Sequence, residues 1–201
     1  MIILKISVRR EKVIMKNYVQ NMQEYLNKEI RIIKQLDLEE INEAVNALDE
    51  ACQRNANVYI MGNGGSAATA SHFVCDFNKG VWETRSGNRF HIHCLSDNTP
   101  IMTAIANDIG YEDVFEYQLK EVLGKKDLVI AISGSGNSKN IVKAIQYAKE
   151  VGCKIIGITG YNGGEVRKLS DFCMHVPIDD MQIAEDIHMI FDHMVMRILC
   201  K

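Results

Sequence analysis

Apolar residues recur at three- and four-residue steps from Met15 through Tyr18, Val19, Met22, Tyr25, Leu26 and Ile30 to Ile33, the period of an amphipathic helix. Asp37-Leu-Glu-Glu40 then has the form of a capping box, and Leu38, Ile41, Val45 and Leu48 set a second apolar stripe behind it. The chain is therefore expected to open with two helices, whose stripes must be covered by the rest of the fold or by another subunit. Further on the pattern changes. Short apolar runs at Val58–Met61, Phe90–Leu95, Asp127–Ser133, Lys154–Thr159 and Phe172–Val176 are bounded by glycine or polar residues and followed by helical spacing. Five strands alternating with helices predict an α/β fold, a single doubly wound parallel five-stranded sheet flanked by helices, with the helical pair in front. Ligands of such sheets bind beyond the carboxyl ends of the strands.

Length and composition narrow this picture. A chain of 201 residues, 47% hydrophobic and 24% charged, with only two prolines, holds one domain and no obvious linker. Residues 15–201 are expected to form that domain, with 15–55 used in packing or oligomerisation, and residues 1–14 to be an extension. A net charge of -3 disfavours a protein that works by neutralising nucleic-acid phosphates. Residues 1–35 carry eight Lys/Arg against three Glu, a net +5, which leaves -8 for the remainder; a solvated basic helix face accounts for it. The six cysteines include no CxxC pair, which suits reduced thiols in a cytoplasm better than a disulfide or zinc framework. Neither a membrane span nor a targeting segment is legible.

The chemistry gathers at two strand ends. Gly62-Asn-Gly-Gly-Ser-Ala67 follows the first strand and precedes a helix carrying His72; its glycines let the backbone approach an anion, and the helix start offers free N–H groups. Ser133-Gly-Ser-Gly-Asn-Ser138 stands in the same position after the third strand, with Asn137 or Ser138 suited to cap a helix over 141–151. No Lys follows in Walker spacing and GxGxxG is absent, so the pair suits a monoester phosphate held by neutral donors, with no nucleotide cofactor.

These two loops, with Gly157-Ile-Thr-Gly160 at the fourth strand's end, resemble those of the SIS (sugar isomerase) family. Within it the likeness runs to the phosphoheptose isomerases, carried by the spacing from Ser66 to His72, by Asn107-Asp-Ile-Gly-Tyr-Glu-Asp113, and by a C-terminal helix with His188 and His193. The resemblance implies isomerisation of sedoheptulose 7-phosphate to D-glycero-D-manno-heptose 7-phosphate, a homotetramer with sites between subunits, and a zinc ion. It makes Ser66, Ser133, Ser135 and Ser138 phosphate ligands, with Asn63, Gly64, Asp108 and Glu185 contacting substrate. His72, Asp76, Glu185 and His193 become the metal set, and Asp76 and His193 the acid/base pair.

That assignment is chemically coherent. His72 and Asp76 are four residues apart and share a helix face; Glu185 and His193, eight apart, lie about 80° around theirs. Such N/O ligands suit zinc, and isomerisation through an enediolate needs a base at carbon and an electrophile at the oxyanion. The chain departs from the isomerase pattern at four positions. Asp76 stands for a longer Glu, Glu185 for Gln, Gly134 for Thr, and Gly80 for Arg with Lys79 beside it. Two alternatives stay open: a non-catalytic phosphosugar-binding regulator or scaffold, and an isomerase or epimerase for a different sugar phosphate. His91 and His93 share a strand face and form a weaker metal candidate. Trp82 and Tyr111 are candidate neighbours of the site, and the methionines of the last helix read as core or interface filler.

Overall fold

A computed structural model describes residues 16–81 and 87–200; the expected extension over 1–14, Met15 and Trp82 lie outside them. Helix α1 spans Val19–Ile33 and α2 spans Leu38–Gln53. Asp37 caps α2 by accepting from the Glu39 and Glu40 N–H groups. Glu40 pairs with Arg167, at 3.0 and 3.1 Å, so the second half of the expected capping box ties α2 to a short helix over Gly164–Leu169.

Five strands follow: β1 Asn57–Met61, β2 His91–Cys94, β3 Leu128–Ser133, β4 Lys154–Thr159 and β5 Phe172–His175. Every pairing is parallel, in the order β2-β1-β3-β4-β5. The intervening helices are α3 Gly65–Cys75, α4 Thr99–Asp108, a short α5 Glu116–Leu119, α6 Lys139–Val151 and α7 Gly164–Leu169, and α8 Met181–Leu199 closes the fold. Both faces of the sheet are covered. Leu128, Ile130 and Ile132 point into a core with α2, α3 and α8, and the alternate residues Val129 and Ala131 into a core with α5 and α6. β3 is consequently buried at all six positions, which explains its unbroken apolar run.

The chain leaves β1 toward β2, then returns to place β3 on the opposite side of β1. This reversal opens a crevice at the carboxyl ends of β1 and β3, where doubly wound sheets bind ligands. The two Gly/Ser loops leave from those ends. No helix of the described residues is long and apolar enough to cross a membrane.

Candidate functional site

The loop after β1 turns so tightly that a Cβ on Gly62 would stand 2.4 Å from the Ser66 carbonyl oxygen, which excludes any larger residue. Ser96, just beyond β2, braces it by accepting from the Gly62 N–H and donating to the Gly62 carbonyl. The loop after β3 is strapped to the segment beyond β4 by Gly160 N–H to Gly134 O (2.8 Å) and Val166 N–H to Gly136 O (2.9 Å). Gly136 has φ +66°, and a Cβ there would meet Gly163 O at 2.0 Å; backbone lies against backbone.

Between the loops lies a cavity of about 190 Å³, lined by Asn63, Ser66, Ser133, Ser135, Ser138 and Glu185 among others. Pockets for drug-sized ligands run to roughly 300–1,000 Å³, so this one has room for a phosphate group and little else. Ser133 and Ser138 hydroxyls stand 3.3 Å apart, and Ser138 precedes α6 without capping it by a side-chain bond, which leaves its hydroxyl for a ligand. Gly134, where a Thr was anticipated, faces Met181, whose sulfur would lie 2.6 Å from an added Cβ. The methionine occupies the volume of the missing side chain.

Glu185 belongs to this cavity. Its Oε2 is 2.5 Å from a Cβ built on Gly65, placing the carboxylate at the first turn of α3, where the helix dipole favours negative charge. Asn63 lines the cavity but commits its amide to Asn140 and to the Tyr111 hydroxyl. Asp108 is exposed near the end of α4 and lines a separate apolar groove with Ile105 and Tyr117.

A second group forms where α3 meets α8. His72, Asp76, Asp192 and His193 can bring one ligand atom each within 4.8 Å of one another. The His72 and His193 Nε2 atoms are 3.2 Å apart, and His72 Nε2 is 3.6 Å from Asp76 Oδ1 and 4.0 Å from Asp192 Oδ2. α3 ends at Cys75, and Asp76 starts a π-helical turn through Val81, a widening that is frequent at functional sites. Three of the four sequence-derived ligands are therefore brought together. Glu185 is not in this group; it lies more than two helical turns from His193 along α8, and Asp192 stands in the set. Gly80 lies against the Met196 methyl.

Asp192 is completely buried, and neither carboxylate oxygen has a hydrogen-bond partner. Burial, reinforced by the Asp76 carboxylate, pushes its pKa up to about 7. A buried carboxylate beside two imidazoles and a second carboxylate is a donor set able to hold a cation. Asp192 was absent from the sequence-derived set although it stands seven residues after Glu185, two turns along α8 and within about 20° of the same face, so helical spacing was the available signal. The His91/His93 pair is taken up otherwise: each ring nitrogen meets an asparagine oxygen, of Asn55 and Asn57.

The sequence matches the SIS domain family over residues 17–160. It is 38% identical over 157 residues to a phosphoheptose isomerase of Helicobacter pylori (strain P12), covering 78% of this chain and 81% of the relative. A probable phosphoheptose isomerase of Thermoplasma acidophilum is 34% identical over 171 residues, covering 85% and 93%. The fold superposes on phosphoheptose isomerase from Neisseria gonorrhoeae with a TM-score of 0.83 at 24% identity, covering 91% of this chain and 98% of the other.

Proposed function

Because the chain belongs to the SIS family, among the phosphoheptose isomerases, we propose that it converts sedoheptulose 7-phosphate to D-glycero-D-manno-heptose 7-phosphate. The observation that carries this is the disposition of two sites along α8: a serine-lined cavity reached by Met181 and Glu185, and a His/Asp group reached by Asp192 and His193. Eight residues of helix separate Glu185 from His193, about 12 Å. Seven bonds separate phosphorus from C2 in a ketoheptose 7-phosphate, a reach of roughly 9 Å when extended. A sugar of this length, anchored by its phosphate, brings its C1 and C2 to the His/Asp group once the side chains extend to meet it.

Ser66, Ser133, Ser135 and Ser138 donate to the phosphate, joined by the N–H groups that open α3. Glu185, an acceptor when ionised, takes hydrogen bonds from sugar hydroxyls. Asp76 and His193 move the proton between C1 and C2, one taking it from C1 and the other returning one at C2. Asp108, a substrate contact by family likeness, stands on the exposed end of α4 and lines a groove apart from the serine cavity. The donor set of His72, Asp76, Asp192 and His193 fits zinc, with unpartnered Asp192 in need of a cation; when bound, zinc supplies electrophilic stabilisation of the enediolate oxygens. Glu185 remains a candidate ligand through rotation of its side chain.

The enzyme assembles as a homo-oligomer, a tetramer by family likeness, through the apolar face of α1, where Met22, Leu26 and Ile30 are exposed. Its six free cysteines suit the cytoplasm. In D₂O with added zinc, sedoheptulose 7-phosphate should yield the aldose with deuterium entering at C2, followed by NMR. Sugar-phosphate binding without turnover or exchange would move a regulatory role or another sugar to the front.

A further inference from the structure

The ladder between β1 and β3 ends at the pair Met61 and Ala131, and the two loops of the phosphate cavity lie beyond it. They are bridged by one amide pair. Asn63 in the first loop donates from Nδ2 to Asn140 Oδ1 at 2.9 Å, and Asn140 donates from Nδ2 to Asn63 Oδ1 at 2.9 Å. Asn140 is the second residue of α6, two positions after Ser138 of the second loop. It is buried, 2% exposed, and its Oδ1 also accepts from the Ile141 N–H at 2.9 Å. Asn63 lines the serine cavity, whereas Asn140 is not among its lining residues.

We propose that Asn140 is a positioning residue that sets the separation of the two loops, and with it the affinity of the serine cavity for a phosphate group. Two amides that exchange both bonds fix distance and orientation together, because each supplies one donor and one acceptor. An ionised carboxylate at position 140, an acceptor only, cannot return both bonds to Asn63. The pair carries no titratable group, so the spacing holds at any pH where the fold does. The Tyr111 hydroxyl donates to the same Asn63 oxygen at 2.8 Å, holding Asn63 in the orientation that faces Asn140. Donors for a dianion must stand within about half an ångström of their working positions, and Ser66 and Ser138 sit on opposite sides of this tie.

The inference rests on the serine cavity being the phosphate site. It is tested on the full chain with zinc removed, by calorimetric titration with sedoheptulose 7-phosphate of the wild type, Asn140→Ala, Asn140→Asp, Asn63→Ala and the Asn63→Ala/Asn140→Ala double variant, with thermal melts of each. Asn140→Ala should weaken binding by about tenfold or more and should have no further effect once Asn63 is gone. With zinc restored, KM should rise while kcat stays within about threefold, and zinc affinity should be unchanged. Wild-type affinity in a folded Asn140→Ala protein, or losses that add in the double variant, would overturn the proposal. Asn140→Asp keeps the size and the Ile141 bond, so it carries the test if the alanine variant fails to fold. If the wild type ignores the heptose phosphate, inorganic phosphate is the probe: weaker binding by the Asn140 variants then upholds the positioning role while the substrate assignment fails. If the wild type binds neither, both fall.

Discussion

The Nε2 atoms of His72 and His193 face each other at 3.2 Å, with ring planes 72° apart. One ring comes from α3 and the other from α8, so the contact joins the helix behind the phosphate loop to the helix that closes the fold. Two protonated rings would repel at this distance, whereas one neutral ring can donate its N–H to the other. A cation held by both nitrogens would take the place of that bond. His72→Ala and His193→Ala should each lower zinc affinity at least tenfold, measured by competition with a chromophoric chelator. His193→Ala should also slow deuterium entry at C2 by roughly 10²–10⁴-fold; exchange at the wild-type rate would remove His193 from the proton transfer.

Asp192 contributes differently, because the His72 Nε2, at 4.0 Å, is too far to hydrogen-bond it. Both its oxygens are buried without a partner, a state that costs stability unless the carboxyl takes up a proton or a cation arrives. Asp192→Asn keeps the shape and removes the charge. The metal-free variant should melt at or above the wild-type temperature, yet gain less on addition of zinc, since a ligand stabilises in proportion to its affinity for the folded state. Equal zinc-induced shifts in the two proteins would show that Asp192 is no part of the cation site.

Two buried histidines make the fold sensitive to acid. His175 and His188 are 8% and 1% exposed, and burial pushes both down to about 4 from an ordinary 6.5. His175 Nδ1 meets the Thr159 hydroxyl at 3.0 Å, and Arg167 and the neighbouring imidazole add to the penalty for charging. Above pH 6.5 both states are neutral and no penalty applies. Below it the unfolded chain binds protons that the folded chain refuses, so stability falls from 6.5 down to about 4 and levels beneath that. At pH 5 the loss is about 2 kcal/mol per histidine. Asp192 acts in the opposite sense as its raised pKa is crossed, so the clean measurement is a difference between variants. His188→Phe, which can stack on Phe191 as the imidazole does, should flatten the decline in urea-unfolding free energy between pH 7 and 5. An unchanged slope would clear His188 of the effect.

The five strands and both Gly/Ser loops were legible because their signals are local: an apolar run closed by glycine needs no partner to be recognised. The ligand set was legible only in part. His72 and Asp76 are one helical turn apart, a spacing that announces a shared face, whereas Asp192 joins them across two helices, and its seven-residue interval to Glu185 marks a face of α8 without linking it to α3. The family resemblance makes Asn63 a substrate contact. Its amide is spent on Asn140, 77 residues on, a pairing that no periodicity reports. The apolar period of α1 reaches back to Met15, yet the helix begins at Val19, whose N–H is taken by the Asn17 Oδ1 at 3.0 Å; periodicity alone overran this start.

α1 itself presents the apolar stripe that the sequence predicts, and the single chain leaves it bare. Val19, Met22, Leu26 and Ile30 are each about half exposed, and only Ile32 is buried. Polar contacts moor the helix to α8: Lys28 Nζ to Asp180 at 2.5 Å, and the Tyr25 hydroxyl to Asp186. Those contacts fix the direction of the stripe without covering it. Burying such side chains is worth roughly 1.5–3 kcal/mol each, enough in several copies to hold an oligomer, whereas an isolated helix of this length is marginal on its own. Leu26→Glu or Ile30→Glu should therefore drive the assembly toward the 22.7 kDa single chain in light scattering. Substrate affinity should fall with it, because Asp180 caps α8 immediately before Met181 of the serine cavity. A wild-type protein that scatters as a single chain at every concentration would show that this stripe meets something other than a second copy.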